Sequence, residues 1–216
     1  MTVSIMNKLI RTLFETHEQP VFSAADIQNI EPNPNVRYAL VKRAIKDGDL
    51  VQIKRGLYTL GSPLRKQPLN RASLANRLYY PSYVSLEYAL SNHGWIPEGV
   101  STVTCATSKN SADFDTPLGR FTYKRIPQAM FFCGVEIVSI DGESALQACP
   151  LKALADYVYI HKLEWMNREP LIESLRIEED ELNTLSADDF ESIQGNYRTA
   201  PTVEAFLTGL RKDLKL

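Results

Sequence analysis

The sequence predicts an α+β protein, with an N-terminal winged helix-turn-helix followed by a mixed domain that has a mainly antiparallel sheet and C-terminal helices. Three observations carry this expectation. Residues 35–60, NVRYALVKRAIKDGDLVQIKRGLYTL, run from an amphipathic helical pattern through a turn into a short alternating hairpin. Between residues 100 and 140 the hydrophobic period becomes alternating, and after Pro150 it is helical again. Charge divides in the same way: residues 1–66 hold ten Lys/Arg against six Asp/Glu, a net +4, leaving fourteen against twenty, or −6, for residues 67–216. Two domains, 1–62 and 63–216, should therefore prefer different partners.

The elements follow in order. Ile5, Leu9 and Leu13, with Ile10 and Phe14, recur at helical spacing and predict a first helix within 2–17, ending before Pro20. Ser23 with Asp26 three residues on is a capping-box start for a second helix carrying Ala24, Ala25, Ile27 and Ile30, which Pro32-Asn33-Pro34 must stop. A third helix is expected over Asn35–Asp47, closed by Gly48. At 100° per residue Val36, Leu40, Val41, Ala44 and Ile45 gather on one side, and Asn35, Ala39, Lys42, Arg43 and Lys46 on the other. Leu50–Ile53 and Leu57–Leu60 flank Lys54-Arg55-Gly56, a hairpin with two cations at its tip.

Residues 61–68, GSPLRKQP, read as an interdomain linker or a docked loop. Arg71–Tyr80 and Ser85–His93 read as short helices, the second ended by Gly94. Strands are expected at Val100–Thr107, Arg120–Ile126, Ala129–Cys133 and Val135–Ile140, with SKNSADFDTPLG a long exposed loop between the first two. Pro150 opens a helix striped by Leu151, Leu154, Ala155, Val158 and Tyr159. Ser186 with Asp189 starts another, and Val203, Phe206, Leu207 and Leu210 line a last one.

Composition narrows the chemistry. No apolar run approaches the roughly 18–20 residues of a membrane span, and the amino terminus lacks a secretory pattern, so a cytoplasmic protein is expected. Cys105, Cys133 and Cys149 are odd in number and lie among apolar neighbours, which suits reduced core thiols. His17, His93 and His161 have no ligand at metal-binding spacing, so neither metal nor cofactor is expected. Walker A, dinucleotide, G-x-S-x-G, H-E-x-x-H and C-x-x-C patterns are absent. Asp113 and Asp115, or Asp141 with Glu143, near Lys152, are the carboxylate groups that a metal-dependent nuclease site would draw on. A polar loop and an Asp-Gly turn explain them more simply, and no enzyme is expected.

The cationic helix and hairpin point instead to double-stranded DNA. In a winged helix-turn-helix the third helix lies in the major groove and the wing meets the neighbouring backbone. Lys42, Arg43, Lys46, Lys54 and Arg55 suit phosphates, and Asn35 and Arg37, in the first turn, suit bases, although Arg37 lies near the apolar stripe. One helix reads only a few base pairs, so two protomers on an inverted repeat are expected. Residues 164–191, with ten Asp/Glu against two Arg, are either a docking surface for a cationic partner or a solvated helix face, the commoner case.

Three segments, VQIKRGLYTL at 51–60, YVSLEYALSNHGWIP at 83–97 and ESALQACPLKALADYVY at 143–159, occur in an order that resembles the AbiEi-type antitoxins of bacterial type IV toxin–antitoxin (abortive infection) systems. The resemblance implies an N-terminal domain that represses its own operon and a C-terminal domain that opposes a nucleotidyltransferase-like toxin, with direct contact left open. It singles out Lys152, Asp156 and Tyr159. The chain departs from the pattern at Leu151, where relatives often carry an acidic residue, and in the acidic stretch after Trp165. A winged-helix regulator with a ligand-sensing or association domain and no toxin is the alternative.

Overall fold

A computed structural model describes residues 7–140 and 142–216. The chain divides into two compact units, one reaching to Asn70 and including Thr116–Leu118, the other comprising Arg71–Asp115 and Gly119–Leu216.

The first unit runs α1 (Lys8–Thr16), β1 (Val21–Ser23), α2 (Ala24–Ile30), α3 (Pro34–Asp47), β2 (Leu50–Lys54) and β3 (Leu57–Leu60). Its antiparallel sheet has the order β1-β3-β2. This is the element order and sheet of a winged helix-turn-helix. Asn7 caps α1 through Ile10 N and also donates to Leu40 O, which fixes α1 against α3. The expected capping box is present: Asp26 N donates to Ser23 Oγ and Ser23 N to Asp26 Oδ2, a pairing worth about 1 kcal/mol. Asn33 accepts from Asn35 N and Val36 N, Pro34 fills the first helical position, and Gly48 ends α3 at φ 79°. Leu9, Ile10, Leu13, Phe22, Ile27, Ala44, Leu50 and Leu60 form the core.

Several expectations are corrected here. Of the α3 stripe only Ala44 is fully buried, and Val36 and Ile45 are 45% and 37% exposed, because they mark the two edges of a stripe 180° wide. The first helix begins at Lys8, and Ile5 lies outside the described residues. Val21–Ser23 is a strand, paired with β3, that is too short to show a period. Of the two readings of residues 61–68 the docked loop is found, since Leu64, in the 3-10 turn Ser62–Leu64, packs on the core. Gly61 is required there, because a Cβ would come within 2.0 Å of Gly48 O.

The second unit contains α4 (Arg71–Leu78), β4 (Ser82–Val84), α5 (Leu86–Asn92), β5 (Val103–Thr107), β6 (Ala112–Thr116), β7 (Gly119–Arg125), β8 (Val135–Ile140) and β9 (Glu143–Ala148). Helices α6 (Pro150–His161), α7 (Glu169–Leu175), α8 (Glu179–Leu182), α9 (Ala187–Ile193) and α10 (Pro201–Asp213) follow. The sheet order is β6-β7-β5-β4-β9-β8. β4 pairs antiparallel with β5 and β8 with β9, and the two-residue β6–β7 turn makes that hairpin antiparallel too, whereas β5–β7 and β4–β9 are parallel. The sheet is therefore mainly antiparallel.

One loop expectation and one strand expectation fail. Residues 112–116 of SKNSADFDTPLG, expected as a loop, are β6, whose Asp113 and Asp115 lie 3.4 and 3.9 Å from the Arg120 guanidinium on β7. Ala129–Cys133 is not a strand, because Pro127 starts the 3-10 turn Gln128–Met130 and the apolar run buries Met130 and Phe131 side by side. β4 and β9 were not anticipated. In 164–191 the acidic side chains are mostly exposed above buried Leu171, Leu175, Ile177, Leu182 and Phe190, as a solvated face requires. Ser186 and Asp189 form a second capping box. Among the described residues no helix is long and apolar enough to cross a membrane.

Candidate nucleic-acid interface and a buried polar network

The face of α3 turned away from the core presents Asn35, Ala39, Lys42 and Lys46, all exposed. Its flanks hold Arg43, whose Nε lies 3.5 Å from Asp47 Oδ2 in a surface pair worth little, and Tyr38. Tyr38 is 68% exposed and was missed by sequence reasoning. Its ring lies 5.9 Å from Lys42 Nζ one turn on, so the aromatic and the cation share one patch. At 100° per residue Tyr38 falls about 20° outside the Ile45 edge of the apolar stripe, which places it on the rim of the polar face.

Arg37 behaves differently from its neighbours. It is half-buried, and its Nη1 donates to the carbonyls of Glu31 and Pro32 at 2.8 and 2.9 Å. That places its guanidinium on the α2–α3 turn, and makes Asn35 and Tyr38 the exposed polar groups of the first turns. At the hairpin, Arg55 is exposed and Lys54 half-exposed. The turn has only two residues, Arg55-Gly56, with Gly56 at φ 82°, and Gly56 O accepts from Ala24 N at 2.9 Å. The tip is thus pinned to the start of α2, a short wing held in place.

In the second unit Lys152 and Asp156 are fully buried one turn apart on α6. Lys152 Nζ donates to Asp156 Oδ1 (2.7 Å), Met130 O (2.7 Å) and Tyr197 Oη (2.6 Å), using all three of its protons. Tyr197 Oη donates to the same Oδ1, and Tyr83 Oη and Ser85 Oγ donate to Oδ2 at 2.8 Å each. The carboxylate therefore accepts four bonds. The ammonium also lies 5.0 and 5.5 Å from the Tyr197 and Tyr83 ring centres. Gly134 closes over the pair, where a Cβ would stand 2.9 Å from Lys152 Cβ.

Electrostatics follow from burial. The Tyr83 and Tyr197 phenols are held well above their usual value, first by burial and then by the Asp156 carboxylate, so both stay protonated donors. Cys149 is pushed up to about 11 and Cys105 higher, by burial, so both remain thiols. The helix expected to start at Ser85 begins at Leu86, and the Ser85 hydroxyl goes to Asp156 and makes no cap, while Leu86 takes φ 57°. The network thus joins β4, α6 and the segments holding Met130 and Tyr197, and everything in it is enclosed. A satisfied pair of this kind fixes the arrangement of a core.

Tyr159, the third residue singled out, lies apart from Lys152 and Asp156; it is half-buried near the end of α6 and lines an open cleft. Asp113 and Asp115 face Arg120, and among the described residues no group of three or more His, Cys, Asp or Glu could hold a metal ion. The segments 83–97 and 143–159 supply all of α5 and β9 and most of β4 and α6, which pack together, and they provide four of the five network side chains. No protein-family model matches the chain, and no curated protein matches it.

Proposed function

We propose that this chain is a DNA-binding autorepressor and antitoxin of the type IV kind, opposing a nucleotidyltransferase-like toxin. The observation that carries the DNA-binding half is the α1-β1-α2-α3-β2-β3 order with an uncovered, cationic α3 face. In this reading α3 enters the major groove, where Asn35 reads a base edge, and Lys42, Arg43, Lys46, Lys54 and Arg55 neutralise phosphates. The target is the chain's own promoter, held by two protomers on an inverted repeat. The antitoxin half is supported by the three segments at 51–60, 83–97 and 143–159 and by their resemblance to AbiEi-type antitoxins.

Replacing Lys42, Arg43, Lys54 and Arg55 by Ala is expected to abolish promoter binding in a mobility-shift titration while circular dichroism stays unchanged; undiminished binding overturns the first half. Co-expression with an adjacent nucleotidyltransferase gene, scored as growth, tests the second. Failure to rescue leaves a winged-helix regulator whose second domain senses a ligand.

A further inference from the structure

The second unit carries an excess of acid, yet one cleft of about 580 Å³ in it gathers cations from separate elements. Lys124 and Arg125 come from the end of β7, Lys162 from the C-cap of α6, and Thr202 from the first turn of α10. Tyr159 and Ile160, both half-buried, supply an apolar wall. Ser111 adds a hydroxyl, and its Oγ already accepts from Arg125 N. Glu164 is the single carboxylate in the lining, and Asp113 lies 3.9 Å from Lys124 Nζ on an exposed edge. Three cations therefore face one lining carboxylate.

We propose that this cleft binds a nucleoside phosphate, independently of the DNA-binding face. Its volume falls within the range of about 300–1,000 Å³ typical of small-molecule sites. Phosphates are held by Arg125 through paired donors, and by Lys124 and Lys162 as point charges. The Tyr159 ring and Ile160 give the base a flat apolar surface, a combination a simple inorganic anion would not need. Lys162 reaches the cleft from an unusual backbone. It is the C-cap of α6 at φ 53°, ψ 44°, a left-handed position that ordinarily favours Gly. Arg176, the C-cap of α7, takes the same left-handed backbone, so the conformation marks a helix end and the case for Lys162 rests on its place in the cleft.

That backbone supplies a clean test. Lys162→Gly removes the cation while relieving the left-handed strain, so its melting temperature should be unchanged or raised. Isothermal titration of the full chain with ATP and GTP is expected to give saturable binding at one site, with adenosine giving none and inorganic pyrophosphate binding more weakly. Lys162→Gly and Arg125→Gln should each weaken ATP binding at least ten-fold. Absence of saturable binding by either nucleotide, or affinity unchanged in both variants, overturns the proposal. Displacement of ATP by oligo(dT) at lower nucleotide concentration than by ATP itself would reassign the cleft to a nucleic-acid strand. Because the readout involves no promoter and no toxin, its failure is separate from failure of the proposed repressor or antitoxin role.

Discussion

The two units treat charge in opposite ways. The first keeps Lys42 and Lys46 on the outside of α3, where both are exposed and neither belongs to the core of Leu9, Ile10, Leu13 and Phe22. The second sinks a lysine and an aspartate where no water reaches and satisfies every proton and lone pair around them. The contrast separates two uses of one side-chain type. A surface cation contributes to affinity in small, separable increments, whereas a buried one is a condition for the fold.

The largest effect that would break this comparison is at Lys152. Lys152→Met removes the ammonium and leaves Asp156 buried with only the hydroxyl donors of Tyr83, Ser85 and Tyr197, which is expected to cost about 3–5 kcal/mol in urea unfolding followed by fluorescence. Adding Asp156→Leu should recover part of that loss, since the uncompensated carboxylate is gone; a double variant as unstable as the sum of the singles would show that the two residues do not act as a pair.

An intermediate effect is expected in alkali. The Tyr83 and Tyr197 phenols sit above their unfolded value near 10, so above pH 10 the native state holds more protons than the unfolded chain. Stability contributed by these groups is complete below that pH and is lost as pH rises toward the folded values, by up to about 1.4 kcal/mol per pH unit per tyrosine. Read as the difference in near-ultraviolet absorbance between the chain and its Tyr83→Phe/Tyr197→Phe variant from pH 9 to 12, the two phenolates should appear together with unfolding. Their appearance in a still-folded protein would mean that the network is open to solvent.

The smallest effect sharpens the comparison from the other side. Lys46→Gln is expected to leave stability within about 0.5 kcal/mol, as exposed substitutions do, while lowering the log–log salt slope of promoter binding by about 0.9 per bound protomer. A slope unchanged by this substitution would remove Lys46 from the phosphate contacts.

How much of this was readable from residues alone differs between the units for a physical reason. In the first, the decisive signals are local: Ser23 finds Asp26 three residues away, Gly48 stops the helix it follows, and the hairpin closes over two residues. In the second, β4 is three residues long and gains its neighbours from β5 and β9, the latter more than fifty residues on, so no local period marks it. β6 did carry a readable alternation, Ala112, Phe114 and Thr116 inward with Asp113 and Asp115 outward, which the polar composition masked. The buried pair was the least legible. Lys and Asp four apart on a helix normally signal a solvated pair, and the contrary sign was that Leu151, Ala153, Leu154, Ala155 and Val158 surround α6 on all sides. Tyr38 and the half-buried Arg37 were both decided by helical angle, and only contacts to Glu31 and Pro32 settled what Arg37 holds.

The hydroxyl that Ser85 gives to Asp156 has a consequence for how the chain matures during synthesis. The start of α5 is anchored not by its own cap but by a residue 71 positions later, and the carboxylate that anchors it also needs the phenol of Tyr197. A ribosome delivers these groups in sequence at roughly 5–20 residues per second. The buried core cluster of the first unit is drawn from Leu9 to Leu60 and needs nothing made after it, whereas the network around Lys152 and Asp156 has its last hydrogen-bond donor only when Tyr197 is in place.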